Sequence, residues 1–251
     1  MKTISPKLYQ QISYYRNQGR VLRVSQRIIG RYGLRVLNGP FKDMTYVSAV
    51  VGSALAPKLV GSYEAELHSF IQNVMANRYK TIVDIGCAEG YYAVGLLITI
   101  PEAFCIAFDM EPKARRLCAD LAAANGVENR LSIREKCDSN CLNTLVLDNA
   151  FVLCDCEGAE FELLHPVLVP QLRSCDILVE LHEAFCPGGT EDLCARFAAT
   201  HVISIISASK RDPSRYGCLS FLSSKDQDVA LQESRYAGLK WAVMKVKMRS
   251  T

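Results

Sequence analysis

The sequence predicts an α/β protein: a Rossmann-like, doubly wound, mostly parallel sheet of seven strands that closes with an antiparallel C-terminal hairpin, preceded by an N-terminal helical extension. Three observations carry this. From Thr81 onward short β-rich runs alternate with helical segments, the pattern of a parallel sheet covered on both faces. The turn after the first run, Asp84-Ile85-Gly86-Cys87-Ala88-Glu89-Gly90, carries glycines where a strand-to-helix turn must let backbone approach a ligand. The chain has 251 residues, 49% of them hydrophobic, enough to bury one large core.

Residues 1–60 read as a helical and turn-rich extension, a lid or dimer contact, and 61–251 as the α/β domain. Lys2, Lys7, Arg16, Arg20, Arg23, Arg27, Arg31, Arg35 and Lys42 all precede the first acid, Asp43. Arg16, Arg20, Arg23 and Arg27 recur at helical spacing beside Val21, Val24, Ile28 and Ile29, which predicts a basic amphipathic helix. Its charges suit a solvated face of a helix packed on the core or on a second subunit of a homodimer, or a phosphate-binding surface. Asn38-Gly39-Pro40 breaks the chain, and Ser62 reads as the N-cap of a helix running to about Arg78 with Leu67, Phe70, Ile71, Val74 and Met75 as its apolar stripe.

The expected strands are 81–85, 103–108, 131–134, 150–154, 176–181, 201–207 and 239–246. Helices are expected at 91–98, 112–125, 140–147, 159–172 and 191–199. The last two strands are separated by a polar stretch of weak helical character near 226–234, so they are expected to pair antiparallel.

No apolar run approaches the roughly 20 residues that span a bilayer, and the first residues lack the apolar core of a secretory signal, so a cytoplasmic protein without membrane contact is expected. The eleven cysteines lie scattered in apolar runs, as buried thiols do, and no CxxC pair or histidine cluster completes a zinc spacing. A formal charge of +3 specifies no partner.

In the first loop, Gly86 and Gly90 clear space for a ligand and for helix packing, while Asp84 can accept from the loop's amides or from a cationic group. Dinucleotide binding would call for G-x-G-x-x-G; this loop is G-x-x-x-G, and Glu89 would repel a diphosphate. An acidic loop suits a ligand with ammonium and sulfonium charges, such as S-adenosylmethionine. Asp109, 19 residues after Gly90 at the end of the second strand, is placed to take both ribose hydroxyls, a role compatible with capping the helix that begins near Glu111-Pro112. Met110 adjoins it, and Cys137-Asp138 after the third strand faces the adenine edge or forms an ordinary loop.

The fourth strand ends in Asp155-Cys156-Glu157-Gly158-Ala159-Glu160. Asp155 sits where the methionine moiety and a substrate would meet; Glu157 and Glu160 read equally as helix-start acids favoured by the dipole. The fifth ends in Val179-Glu180-Leu181-His182-Glu183, where His182, with an ordinary pKa of about 6.5, can act as a proton acceptor or can simply be hydrogen-bonded at a strand end. His68, His165 and His201 look structural.

These segments resemble the class I methyltransferases related to the FkbM family. Val83-Asp84-Ile85-Gly86-Cys87-Ala88-Glu89-Gly90-Tyr91-Tyr92 is similar to the first cofactor motif, Asp155 to Glu160 to the D-x-E-G-x-E segment, and Val179 to His182 to v-E-x-h. The likeness covers about residues 60–185. Leu153 stands where the family usually has lysine, and Cys87-Ala88-Glu89 replaces its usual Ala-Asn-x. The resemblance implies S-adenosylmethionine as cofactor, contacts to it from Tyr63 and Glu64, and methylation of hydroxyls of sugars or secondary metabolites.

The expected reaction is an in-line displacement on an oxygen, less so a nitrogen, of a small molecule, with His182, Asp155 or Glu183 handling the proton. No metal is expected, although Asp155, Glu180 and Glu183 are an alternative set for a divalent cation. An RNA methyltransferase using the basic segment is a rival reading, opposed for base amino groups by the lack of an N/D-P-P-Y/F tetrad. A catalytically silent cofactor-binding domain is another.

Overall fold

The computed structural model describes residues 6–233 and 238–247, with side chains from residue 18 onward. Before the sheet come α1 (Pro6–Tyr32), α2 (Leu55–Val60) and α3 (His68–Ala76). Strands and helices then alternate as β1 (Thr81–Ile85), α4 (Tyr91–Thr99), β2 (Phe104–Phe108), α5 (Pro112–Ala124), β3 (Leu131–Arg134), α6 (Ser139–Thr144), β4 (Ala150–Cys154), α7 (Glu160–Leu163), β5 (Asp176–Leu181), α8 (Gly189–Phe197), β6 (His201–Ser207), α9 (Ser224–Ala230) and β7 (Lys240–Val246).

The sheet order is β3-β2-β1-β4-β5-β7-β6. β1 to β5 are parallel, and β7 inserts antiparallel between β5 and β6. Strand order reverses between β1 and β4, which opens a crevice outside their carboxyl ends. β1 and β4 bury almost every residue because helices cover both faces. Ile82, Phe151, Leu178 and Trp241 face one layer, with α1 to α5 and α9; Val83, Val152, Val179 and Met244 face the other, with α7 and α8. Trp241, the single tryptophan, is fully buried opposite Glu180.

All seven expected strands form, within one residue at each end. Three helices differ. The segment expected over 159–172 is helical only at α7, because Pro166 lacks an N–H and disfavours helix at His165; a separate 3-10 turn follows at Pro170–Ser174. The one expected at 140–147 ends at Thr144, its start set by Asp138, whose carboxylate accepts from the Cys141 N–H. Ser62 is not an N-cap: its hydroxyl faces the Pro57 carbonyl at 3.4 Å, Glu64 has φ +48°, and the α-helix starts at His68. The polar stretch after β6 contains a capped helix, α9, with Ser223 accepting from the Asp226 N–H.

Val24 and Ile28 of α1 join the main buried cluster. Arg20 and Arg27 pair with Asp226 of α9 at 2.8 and 3.2 Å, and the guanidinium groups of Arg27 and Arg31 lie over the Phe221 ring. Arg23 donates to the Gly19 carbonyl, and the side chain of Arg16 lies outside the described residues. The extension then runs through Val36, Phe41, Met44 and Tyr46, buried with strand residues in one cluster. Gly61 (φ +76°) passes so close to Asn38 that a Cβ would lie 1.9 Å from its carbonyl oxygen, so only glycine permits this crossing. All eleven cysteines are free thiols. Among the described residues no helix is long and apolar enough to cross a membrane.

Candidate functional site

The loop after β1 is fastened on both sides. The amides of Gly86 and Cys87 donate to the Phe108 carbonyl of β2 at 2.8 and 3.0 Å. Gly86 (φ +85°) lies against the end of β4, where a Cβ would fall 1.6 Å from the Asp155 carbonyl oxygen. Asp109 Oδ2 accepts from the Ala88 N–H and Oδ1 from the Glu111 N–H, both at 2.8 Å. Each oxygen keeps a lone pair for a further donor, so loop clamp and ribose acceptor are compatible roles.

Above this loop lies a cavity of about 580 Å³. Of the residues expected to bind cofactor, Tyr63, Gly86, Ala88, Asp109, Met110, Asp138 and Asp155 line it. Val51 to Ser53 and Lys58 close it from the extension. Six carboxylates (Asp109, Glu135, Asp138, Asp155, Glu157 and Glu162) face two lysines, Lys58 and Lys136, so the wall favours a cationic ligand.

The other expected cofactor residues stand behind the wall. Glu89 is fully buried and pairs with Lys58, accepting also from the Tyr46 hydroxyl at 2.6 Å and the Val51 N–H at 3.2 Å. Burial pushes its carboxyl up, but Lys58 and Tyr46 outweigh this and hold it below the ordinary range. Its charge is spent on the extension, which corrects the expectation that Glu89 acts on the ligand directly. Glu64 is buried and accepts from the Tyr92 hydroxyl. The Cys87 thiol faces Cys118, and Gly90 brings α4 onto α5, a Cβ there falling 2.7 Å from Cys118 Sγ.

Asp84 is 2% exposed, and neither of its oxygens meets a donor in hydrogen-bond geometry among the described residues. Burial, then the charge of Asp155, push it up to about 7; the Ala93 amide opposes this, Asp109 adds less than that amide removes, and Lys58 opposes it least. It is an acid one residue below the cavity floor with no cation in ion-pair range among the described residues.

At the ends of β4 and β5 the structure gathers Asp155, Glu157, Glu160, Glu180 and His182. Glu160 Oε1 accepts from both the backbone N–H and Nδ1 of His182, each at 3.0 Å, and its Oε2 accepts from the Gly158 N–H at 2.8 Å. His182 Nε2 lies 3.7 Å from Asp155 and Glu157 and 3.8 Å from Glu180. Burial raises both Asp155 and Glu180; the charge of Asp155 and the hydrogen bond to it push Glu180 further up, while His182 and that same hydrogen bond hold Asp155 down, so the pair retains a proton at neutral pH. Burial lowers the His182 pKa, but the Glu160 hydrogen bond and the surrounding carboxylates bring it above its ordinary value.

His182 is not on the cavity wall; it stands behind Asp155 and Glu157, on the β5 side. Glu183 turns away, accepting from the amides of Gly188 and Thr190 at the start of α8 and from the Thr190 hydroxyl. The set Asp155, Glu180 and Glu183 is therefore not assembled. Asp155, Glu180 and His182 do bring one donor atom each within 4.8 Å of one another, close enough for a divalent cation to bridge.

Sequence reasoning missed Lys58, whose partner is 31 residues away, and the role of Glu160. The spacing of Glu160 from Gly158 fits a helix-start acid equally well; only its complete burial distinguishes the two roles.

A seven-stranded sheet in this order, parallel except where β7 runs antiparallel to β5 and β6, is a Rossmann-like fold. No family model matches the chain. It is 33% identical over 133 residues to a release factor glutamine methyltransferase of Cereibacter sphaeroides, an alignment taking in 49% of this chain and 42% of that protein. The chain thus spans less than half the length of the curated relative it matches. Among solved structures it is similar to the O-methyltransferase TomG of Streptomyces achromogenes in complex with SAM (15% identity, 75% of this chain and 83% of that one, TM-score 0.49). An O-methyltransferase of Bacillus cereus in complex with SAH is similar at 12% identity over 90% and 91% of the two chains, TM-score 0.47. At these scores the topology rests on the chain's own strand pairing.

Proposed function

We propose that this chain is an S-adenosylmethionine-dependent methyltransferase acting on an oxygen of a small-molecule acceptor. The observation that carries the reading is Asp84, a buried carboxyl that no donor among the described residues meets in hydrogen-bond geometry, beneath a cavity whose wall holds six carboxylates and two lysines. A ligand with ammonium and sulfonium charges supplies the missing cations; a diphosphate would add to the repulsion. The volume suits a ligand of that size.

In this reading Asp109 takes the ribose hydroxyls, Met110 and Asp138 flank the base, and Tyr63 with Val51 to Ser53 acts as a lid contributed by residues 1–60 and the segment that follows. Bound S-adenosylmethionine supplies a methyl group already activated on sulfur. The protein aligns the acceptor beyond Asp155, excludes water and takes up the acceptor's proton at His182 Nε2 by way of Asp155, which lines the cavity. We place the chain near the FkbM-like enzymes on its D-x-E-G-x-E and v-E-x-h segments, which favours a hydroxyl of a sugar or secondary metabolite.

A nitrogen acceptor is the second reading, supported by the named activity of the Cereibacter sphaeroides relative. RNA is less favoured because Arg20 and Arg27 are paired with Asp226, and Arg27 and Arg31 cover Phe221. The test is incubation with methyl-labelled S-adenosylmethionine and separate pools of small metabolites, RNA and glutamine-containing peptides. Label in the metabolite pool supports the proposal; label in RNA or peptide alone overturns the acceptor class.

A further inference from the structure

We propose that Glu160 is a positioning residue for this methyl transfer: its buried carboxylate fixes His182 in the Nδ1–H tautomer and turns the Nε2 lone pair to Asp155, through which the acceptor's proton arrives. The inference rests on the methyltransferase reading and deepens it.

An acid that merely serves a helix dipole sits in solvent at the first turn, yet Glu160 is fully buried and α7 is only four residues long. Its two oxygens are filled by donors from both loops that border the reaction site. Gly158 N–H, with the Cys156 thiol at 3.7 Å, comes from the loop after β4; the N–H and Nδ1 of His182 come from the end of β5. An ionised carboxylate only accepts, so Nδ1 must carry the hydrogen and a neutral His182 has its lone pair on Nε2. The carboxylate is ionised: the His182 hydrogen bonds hold it below the ordinary range against the upward push of burial.

Nε2 then faces Asp155, Glu157 and Glu180, at distances too long for hydrogen bonds but short enough for charge attraction. Among the described residues, these three and Glu160 are the charged groups that face the ring. As the acceptor oxygen forms its bond to the methyl carbon and the carbon–sulfur bond breaks, the O–H pair stays on oxygen and the proton passes to Asp155 on the cavity wall, which releases it to Nε2. The imidazolium so formed is stabilised by Glu160 behind it and by Asp155 and Glu157 beside it.

The experiment is nitrogen-15 NMR of the four histidines, with steady-state kinetics, on the wild type and on Glu160→Gln and Glu160→Asp. In the wild type at high pH, His182 is expected as the Nδ1–H form. Gln carries no charge and accepts at only one end, so Glu160→Gln is expected to weaken the preference for that tautomer, to lower kcat about tenfold or more and to leave KM for S-adenosylmethionine unchanged. The acid limb of its kcat profile moves to lower pH, because the charge that raises the His182 pKa is gone. Glu160→Asp restores part of the rate. An Nε2–H form of His182 in the wild type, or a Glu160→Gln enzyme with unchanged kcat and acid limb, overturns the proposal. Should Glu160→Gln fail to fold, the wild-type tautomer alone decides. Failure of S-adenosylmethionine to bind in calorimetry would sink the methyltransferase reading while leaving the tautomer result standing.

Discussion

Lys58 and Glu89 form an ion pair with side chains 3% and 0% exposed, joining the segment ahead of the sheet to the loop after β1. Two buried charges tolerate each other's presence but not each other's loss. Lys58→Met strands Glu89 as an uncompensated charge and is expected to cost about 3–5 kcal/mol, read from urea denaturation. The double change Lys58→Met with Glu89→Gln should recover most of it. If the single variant melts like the wild type, the pair does not hold the extension.

Asp84 sets stability against binding. Its folded pKa, pushed up to about 7, lies above that of an unfolded Asp, so the native state holds a proton the unfolded chain releases. The stabilisation is complete below the unfolded pKa and is lost as pH rises towards 7. Asp84→Asn is therefore expected to be more stable than the ligand-free wild type at pH 8 by on the order of a few kcal/mol, with the gap closing at pH 4. The same change should abolish the thermal shift that S-adenosylmethionine gives the wild type. An equal Tm difference at both pH values would refute the linkage.

Asp109→Ala removes the hydrogen bonds from the Ala88 and Glu111 amides and the ribose acceptor together. Calorimetry should show S-adenosylmethionine affinity reduced tenfold or more, about 1.4 kcal/mol at least. Asp109→Asn, which keeps an acceptor, should fall between. Undiminished binding in both variants would make the cofactor assignment wrong.

The pH dependence follows from His182. A proton acceptor works when neutral, and its pKa is raised by Glu160 and the neighbouring carboxylates, so kcat should fall as pH drops through a limb above 6.5. Dialysis against a chelator should leave the rate unchanged. Rescue of a chelated, inactive enzyme by manganese or zinc would instead recast Asp155, Glu180 and His182 as ligands.

Where these predictions lean on the fold, the sequence was an adequate guide. Strands such as Thr81–Ile85 and Ala150–Cys154 are read from local apolar runs because both faces are covered, and the acid at 109 follows from the spacing of a strand-loop-strand unit. Helix ends were less legible where one residue decides, as Pro166 does for α7. The site was legible only where a loop must meet the cavity through its own backbone or strand end, as at Gly86, Ala88, Asp109 and Asp155. Glu89, Glu160 and Glu183 all looked like ligand or helix-start acids, and their partners, Lys58, His182 and the Thr190 turn, are tertiary facts. Charge alone does not say which way a carboxylate turns.

Trp241 faces Glu180 across the antiparallel pairing of β5 and β7. Residues so opposed hold their Cβ atoms about 4.5–5.5 Å apart on one face of the sheet. The indole is fully buried, its N–H without an acceptor among the described residues, and it is the chain's only one. Intrinsic fluorescence is therefore an optical gauge of the carboxyl pair beside the reaction site: its intensity should track the proton on Glu180, label-free and on the timescale of stopped flow.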